Sequence, residues 1–411
     1  DLIIALLPKQ TRGETVTVCM KFKSGDEKNL FGKANLQPVA AAMLTRGTKT
    51  MTRSEIEDRM TELKMAGSIT NFTTTRKNLP AALELVFDAM HNSIMPQDEF
   101  DQFKKQMQVM IESMRDKPDA LAQNAITQHF NTYPKGDPRY EYSLDESLEQ
   151  LNKLTVDQVR AFYKEFGGTS RGEISIVGDF DPKAVEKIIR DDYAKYVSKA
   201  HYAPVVTEYR PVKATRVVID TPDKENAIIV ARSVFPINDT APDAPALTVA
   251  NWILGGGTGL SNRLIERLRQ KEGLSYGAGS HVRIPAKGDN GSFVFRAIVA
   301  PQNMLQAEAS ARDVIAKAIK DGFTDQEVEE AKKGLLQAMQ VARSQDDVVA
   351  RSWNDKMENQ RTWVFSKKQA EAISKLTTAD VNAALRKYIK PDEITFVLAG
   401  DQKKAAQKKQ D

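Results

Sequence analysis

Reactive side chains are sparse in this 411-residue chain, and most stand where they can do little. The four histidines, His91, His129, His201 and His281, show no metal-ligand spacing, and neither HExxH nor HxxEH occurs, so no locally assembled zinc site is expected. They read as surface or packing residues. Cys19, the single cysteine, lies inside an apolar strand pattern and lacks the exposed, electropositive setting of a nucleophile. It reads as core, permits no intrachain disulfide and leaves the redox compartment open. No serine sits in a GxSxG elbow. The run "GGGTGLSN" (255–262) suggests a phosphate loop, but it follows a helical pattern rather than a strand and has no Lys-Ser/Thr ending. Its glycines are better read as letting backbone approach something closely, or as ending a helix, before Ser261 caps the next one.

One pair remains. In "LSNRLIERLRQKEGLSYG" (260–277), Leu264, Ile265 and Leu268 form a buried stripe while Arg269 falls in the last turn. Gly273 then stops the helix and Tyr276 emerges on the following strand, so Arg269 and Tyr276 can be brought to a common point. The plainer alternative is a cation favoured by the helix dipole next to a half-buried aromatic.

The elements that would position this pair belong to a repeat. "GKANLQPVAAAMLTRGT" (32–48) lies over "PALTVANWILGGGTG" (245–259) at an offset of 210: Val39 on Val249, Met43-Leu44 on Ile253-Leu254, Gly47-Thr48 on Gly257-Thr258. "ETVTVCMKF" (14–22) likewise matches "ENAIIVARSVF" (225–235) as an apolar strand. "LTVDQVRAFYKEFGGTSRGEISIVGDFDPKAV" (154–185) matches "LTTADVNAALRKYIKPDEITFVLAGDQKKAA" (376–406), each a Thr-capped helix (Thr155, Thr377) followed by a buried strand ending in Gly-Asp. Each half thus reads strand, helix, helices, helix, strand, which predicts α+β layers: two homologous domains, 1–197 and 217–411, joined by a Pro-containing linker, 198–216. Each domain is expected to hold an antiparallel or mixed sheet covered by helices on one face. In the first half, Thr52 or Ser54 caps a helix that Gly67 closes, and further helices are expected near 80–92, 97–115, 118–130 and 155–166. In the second, "KGDNG" turns a hairpin within 274–300.

A net charge of +4 spread over both signs gives no argument for nucleic acid, and no apolar run reaches the ~18 residues of a membrane span. The basic tail 401–411 reads as a solvated terminus. The chain starts without Met on a strand-like run, "DLIIALLPKQ", and without signal-peptide features, so an upstream segment is expected to have been removed.

The motif "SNRLIERLRQKEGLSYG", preceded by the glycine run, resembles the second-domain signature of the insulinase or pitrilysin (M16) family of zinc peptidases, and the resemblance covers nearly the whole chain. "GDEKNLFGKANLQPVAAAMLTRGTKTMTRSEIEDRM" (25–60) is similar to the family's first-domain signature, and "ISIVGDFDP" (174–182) to the strand that closes such a domain. The resemblance implies a pseudo-twofold clamshell of the metallohydrolase type. It also implies that Arg269 and Tyr276 reach across to hold a substrate carbonyl and the developing oxyanion. It breaks at the metal. Where active members carry HxxEH, this chain has Pro38, Ala41 and Ala42; Glu112 is the candidate for the further ligand, its register open. The implied function is a catalytically incomplete half of a bacterial zinc metallopeptidase, inactive alone, holding no metal or cofactor itself. It would lend Arg269 and Tyr276 to peptide hydrolysis at zinc held upstream in the same polypeptide or on a partner subunit. A non-catalytic scaffold or a peptide-binding module are the alternatives, and export to the periplasm follows only from the resemblance.

Overall fold

A computed structural model describes residues 1–168, 170–195, 198, 200–257 and 262–407. The first half runs β1 (Leu2–Pro8), β2 (Thr15–Lys23), α1 (Leu36–Met43), α2 (Arg53–Glu62), β3 (Ala66–Ser68) and β4 (Asn71–Thr75). It continues through α3 (Leu79–Asn92), α4 (Gln97–Met114), α5 (Pro118–His129), α6 (Leu144–Lys153), α7 (Val156–Phe166), β5 (Arg171–Gly178) and α8 (Pro182–Tyr193). The second half has β6 (Arg216–Asp220), β7 (Ala227–Pro236), α9 (Ala244–Asn251), α10 (Arg263–Ile265), β8 (Ser275–Arg283) and β9 (Asn290–Val299). It closes with α11 (Met304–Asp321), α12 (Asp325–Ala342), α13 (Asp346–Glu358), α14 (Trp363–Lys375), α15 (Thr378–Tyr388), β10 (Thr395–Gly400) and α16 (Gln402–Gln407).

The two five-stranded sheets have the same order, β1-β5-β2-β4-β3 and β6-β10-β7-β9-β8. In each, the first strand joins in parallel and the rest pair antiparallel, so both sheets are mixed. Duplication is therefore written in topology as well as in sequence. Local signals explain the boundaries. Thr52, Ser143, Thr155, Thr324 and Thr377 each accept from the backbone three residues on while the residue there bonds back, closing capping boxes. The hairpin turn holds Gly288 at φ 74°, as its left-handed geometry requires. One detail departs from expectation. Helix α2 ends at Glu62, and Gly67 belongs to β3, where a Cβ would lie 2.3 Å from the Asn71 carbonyl oxygen. Close strand pairing, not helix termination, demands that glycine.

Each half packs its own helices on one face of its sheet, forming two large apolar cores. The opposite faces are covered reciprocally. Helix α5 of the first half lies on β7 and β10, where Ala122 and Ile126 bury against Ile228, Val230, Val397 and Ala399. Helix α13 of the second half lies on β2 and β5, where Val349 and Ala350 bury against Cys19 and Val177. Polar contacts fix that seam: Asn354 Nδ2 donates to the Cys19 carbonyl at 2.9 Å and Ser175 Oγ to the Ala350 carbonyl at 2.6 Å. Covering from both sides accounts for β5 and β10 being buried almost throughout.

The connection between halves is extended and pinned. Arg139 and Arg210 sandwich the Tyr133 ring, each 4.1 Å from its centroid, and the Tyr209 amide donates to Asp289 at 2.7 Å. The boundary expected at residue 197 lies outside the described residues, and β6 begins at Arg216, inside the expected linker.

Candidate functional site

Gly255 and Gly256 approach the edge strand β8, which carries Tyr276, and Arg269 lies in the helical turn just before that strand. After α9 the chain widens into a turn with an i→i+5 bond, Gly257 N–H donating to the Trp252 carbonyl at 2.9 Å. Such wide turns recur at functional sites. Here the glycines permit close approach: a Cβ on Gly255 would stand 2.5 Å from Ser280 Oγ, and one on Gly256 2.3 Å from Asn251 Nδ2. Gly255 and Gly256 thus seat a helix end against β8. Residues 258–261, with the expected cap Ser261, lie outside the described residues. The cap seen is Asn262, whose side chain accepts from Ile265 N at 2.9 Å.

From Asn262 the chain forms α10 and a second wide segment, Glu266–Lys271, with Leu264 and Leu268 fully buried. Glu272 N–H reaches the Arg267 carbonyl at 3.1 Å and Leu274 N–H the Leu268 carbonyl at 2.8 Å, while Gly273 reverses the chain at φ 61°. This junction fixes Arg269 in the last helical turn and Tyr276 at the start of β8, at a register irregularity between Ser275 and Gly277. Arg269 is exposed and Tyr276 is 65% exposed. No hydrogen bond joins them, and among the described residues Arg269 has no ion pair. A half-buried packing role for Tyr276 is thereby excluded, since most of its ring faces solvent. Both donors are free to engage something outside the fold.

The metal positions are empty of ligands by chemistry. Pro38 and Ala41 are exposed on α1 and Ala42 is half-buried, and none carries a ligating atom. Ala41 instead helps line an apolar cavity of about 440 Å³ between α1, β2 and α7. Glu112 is exposed on α4 and pairs with Arg115 at 3.3 Å; α4 packs on α6, whereas α1 packs on α7. Among the described residues, no group of three His, Cys, Asp or Glu side chains is placed to hold a metal ion. The residues present do not fit a zinc ion. No described helix is long and apolar enough to cross a membrane.

Sequence reasoning missed a set of cations on the opposite face of the β7–β9–β8 sheet, Arg232, Arg283 and Arg296. Only the strand register brings them together.

A duplicated α+β unit with clasped sheets, a helix α1 without ligating side chains at Pro38, Ala41 and Ala42, and an exposed Arg269 and Tyr276 define the class: a fold of two paired, sheet-bearing halves. Residues 153–335 match the family described as Peptidase M16 inactive domain. Over that stretch, a little under half of its length, the chain is similar to the M16 peptidase family. An uncharacterized zinc protease of Mycobacterium bovis is 24% identical over 299 residues, covering 70% of this chain and 66% of that protein, just under two thirds of its length. The non-peptidase homologue YmxG of Helicobacter pylori is 20% identical over 259 residues, covering 62% of this chain and 58% of the homologue. Among solved structures, a peptidase M16 inactive domain from Pseudomonas fluorescens superposes with a TM-score of 0.81 at 20% identity, covering 97% and 95% of the two chains. The periplasmic protease PqqL of Escherichia coli gives 0.69 at 14% identity, with 95% of this chain covering only 43% of that one. The fold is thus the size of one half of such a protease.

Proposed function

We propose that this chain is the non-catalytic half of an M16 zinc metallopeptidase, donating Arg269 and Tyr276 to a peptide held at a zinc site on another half or subunit. The observation carrying this reading is the pair itself: two exposed donors, seven residues apart, held by a hydrogen-bonded helix-to-strand junction on a chain whose metal positions are Pro38, Ala41 and Ala42. The Arg269 guanidinium donates to the substrate carbonyl, and the Tyr276 hydroxyl donates to the same oxygen as negative charge develops on it. Magnitudes assign the division of labour. One oxyanion donor contributes about 10²- to 10³-fold, well short of the roughly 10⁶-fold minimum of enzymes. Peptide hydrolysis therefore requires the zinc-bearing half. The likeness to a part of PqqL supports pairing with such a half, and its description as periplasmic supports export of this chain.

A non-catalytic scaffold or peptide-binding module is the second reading, favoured by the relative described as a non-peptidase homologue. Two assays separate them. The purified chain is expected to hold no stoichiometric zinc and to cleave no peptide until an HxxEH-bearing half is added. Stoichiometric zinc in the chain alone, or no activation on mixing, contradicts the first reading.

A further inference from the structure

The two clasping helices leave unequal charge on the faces they cover. Where α13 lies on the first sheet, the lysines of β2 find acids: Lys21 Nζ is 2.5 Å from Asp355 and 3.4 Å from Glu358, and Lys23 Nζ is 2.6 Å from Glu358. On the second sheet, Arg232 of β7 stands in register with Val294 of β9 and His281 of β8. One row on lie Ser292 and Arg283, and one row back Arg296 and Gly279. Helix α5 answers only Arg296, through Asp119 at 2.7 Å. At its end, where α13 carries Glu358, α5 carries Phe130, whose ring centroid lies 4.7 Å from the Arg232 guanidinium.

Arg232 is consequently a poorly hydrated cation without a counter-charge. Its Nε is buried with no hydrogen-bond partner, and among the described residues neither Arg232 nor Arg283 forms an ion pair. Burial first, then the charge of Arg283, lowers the pKa of the Arg232 guanidinium, with Glu141 a smaller opposing influence. A buried unpaired charge is costly, and an incoming anion relieves that cost. The same face is accessible. A cavity of about 380 Å³ opens along β8 and β9, with Gly277 and Gly279 as floor and Val294, Arg296 and His281 around it. It runs from Gly277, next to Tyr276, to His281, two residues short of Arg283; the seven steps from Tyr276 to Arg283 span roughly 23 Å in an extended strand.

We propose that Arg232, Arg283 and His281 form a subsite for side-chain carboxylates of an extended peptide lying along the β8–β9 face, about seven residues from the bond gripped at Arg269 and Tyr276. This rests on the peptide-substrate reading above and adds a preference for acidic sequence. Planar guanidinium groups suit carboxylates, and the glycine floor lets a backbone lie close to the sheet.

The test is calorimetric titration of the whole chain, at low salt, with an amidated extended peptide bearing consecutive glutamates and with its glutamine counterpart. The glutamate peptide is expected to bind about tenfold or more tightly, a difference that drops to within about twofold in Arg283→Gln and in Arg232→Met. Arg12→Gln, removing an exposed arginine of the first half, is expected to keep the preference, which separates the subsite from general attraction to a positive chain. Thermal melts establish that each variant folds, and the exposed Arg283 gives a readout even where Arg232→Met does not. Equal binding of the two peptides, or an undiminished preference in the Arg283 variant, overturns the proposal. No zinc half enters this titration, so its outcome is separate from the effect of Arg269→Ala or Tyr276→Phe on cleavage.

Discussion

The placement of Arg269 in a last helical turn and of Tyr276 at a strand start is legible in sequence because everything that sets it is local: a buried leucine stripe, a glycine stop and a strand start within eighteen residues. Tyr276→Phe, in a chain reconstituted with a zinc-bearing half, is expected to lower kcat about 10²-fold or more with little change in KM, because its hydrogen bond matters most once charge has developed. Arg269→Ala, removing a donor to the ground-state carbonyl as well, is expected to raise KM too; steady-state peptide cleavage separates the two. The Arg232 cluster was invisible by comparison, since its members lie on three strands and meet only through cross-strand register. Electrostatics elsewhere are structural. Glu308, almost fully buried, would have its pKa raised by burial, but its bonds to Arg216 (2.7–3.0 Å) and Arg312 outweigh this and hold it below the usual carboxylate value. A lowered folded pKa stabilises above the ordinary carboxylate value of about 4.3, and that contribution is lost as pH falls through the lowered value. Glu308→Gln is therefore expected to cost about 1–3 kcal/mol near neutral pH and to flatten the acid limb of stability, measured by urea unfolding across pH.

At the level of elements, the helices and strands carrying clear signals form close to where their residues place them. Helices expected near 80–92, 97–115, 118–130 and 155–166 occur at Leu79–Asn92, Gln97–Met114, Pro118–His129 and Val156–Phe166. Their partners were not legible. Helix α5, "PDALAQNAITQH", reads as an ordinary amphipathic segment, yet it leaves its own half to cover the other half's sheet. Amphipathicity states that a face must be buried and says nothing of which surface buries it. Ile126→Ala, deleting the central side chain of that seam, is expected to cost about 2–4 kcal/mol in urea unfolding. A surface substitution on the same helix, Gln123→Ala, is expected to change stability by less than about 0.5 kcal/mol.

For the whole molecule, reciprocal exchange of α5 and α13 is expected to couple the halves into one cooperative unit despite their separate cores. Calorimetric unfolding is expected to show a single transition; two resolved transitions would mean that the exchanged helices add little coupling. Rigidity of this kind would suit the proposed presentation of two donors at a fixed place, because misplacement of positioning groups by about 1 Å can cost about 10²-fold. Duplication explains the economy of the arrangement. Both halves keep the same sheet order, while in the proposed function what distinguishes them rests in a few positions: Pro38, Ala41 and Ala42 of α1, and the junction before β8 with Arg269 and Tyr276. The most direct measurement is the rate of peptide cleavage when this chain is mixed with an HxxEH-bearing half, comparing the unaltered chain with the Arg269→Ala/Tyr276→Phe double variant at equal complex formation. The expected result is a loss of about 10³-fold or more in kcat/KM with zinc content of the mixture unchanged; an undiminished rate would contradict the donation of these two side chains.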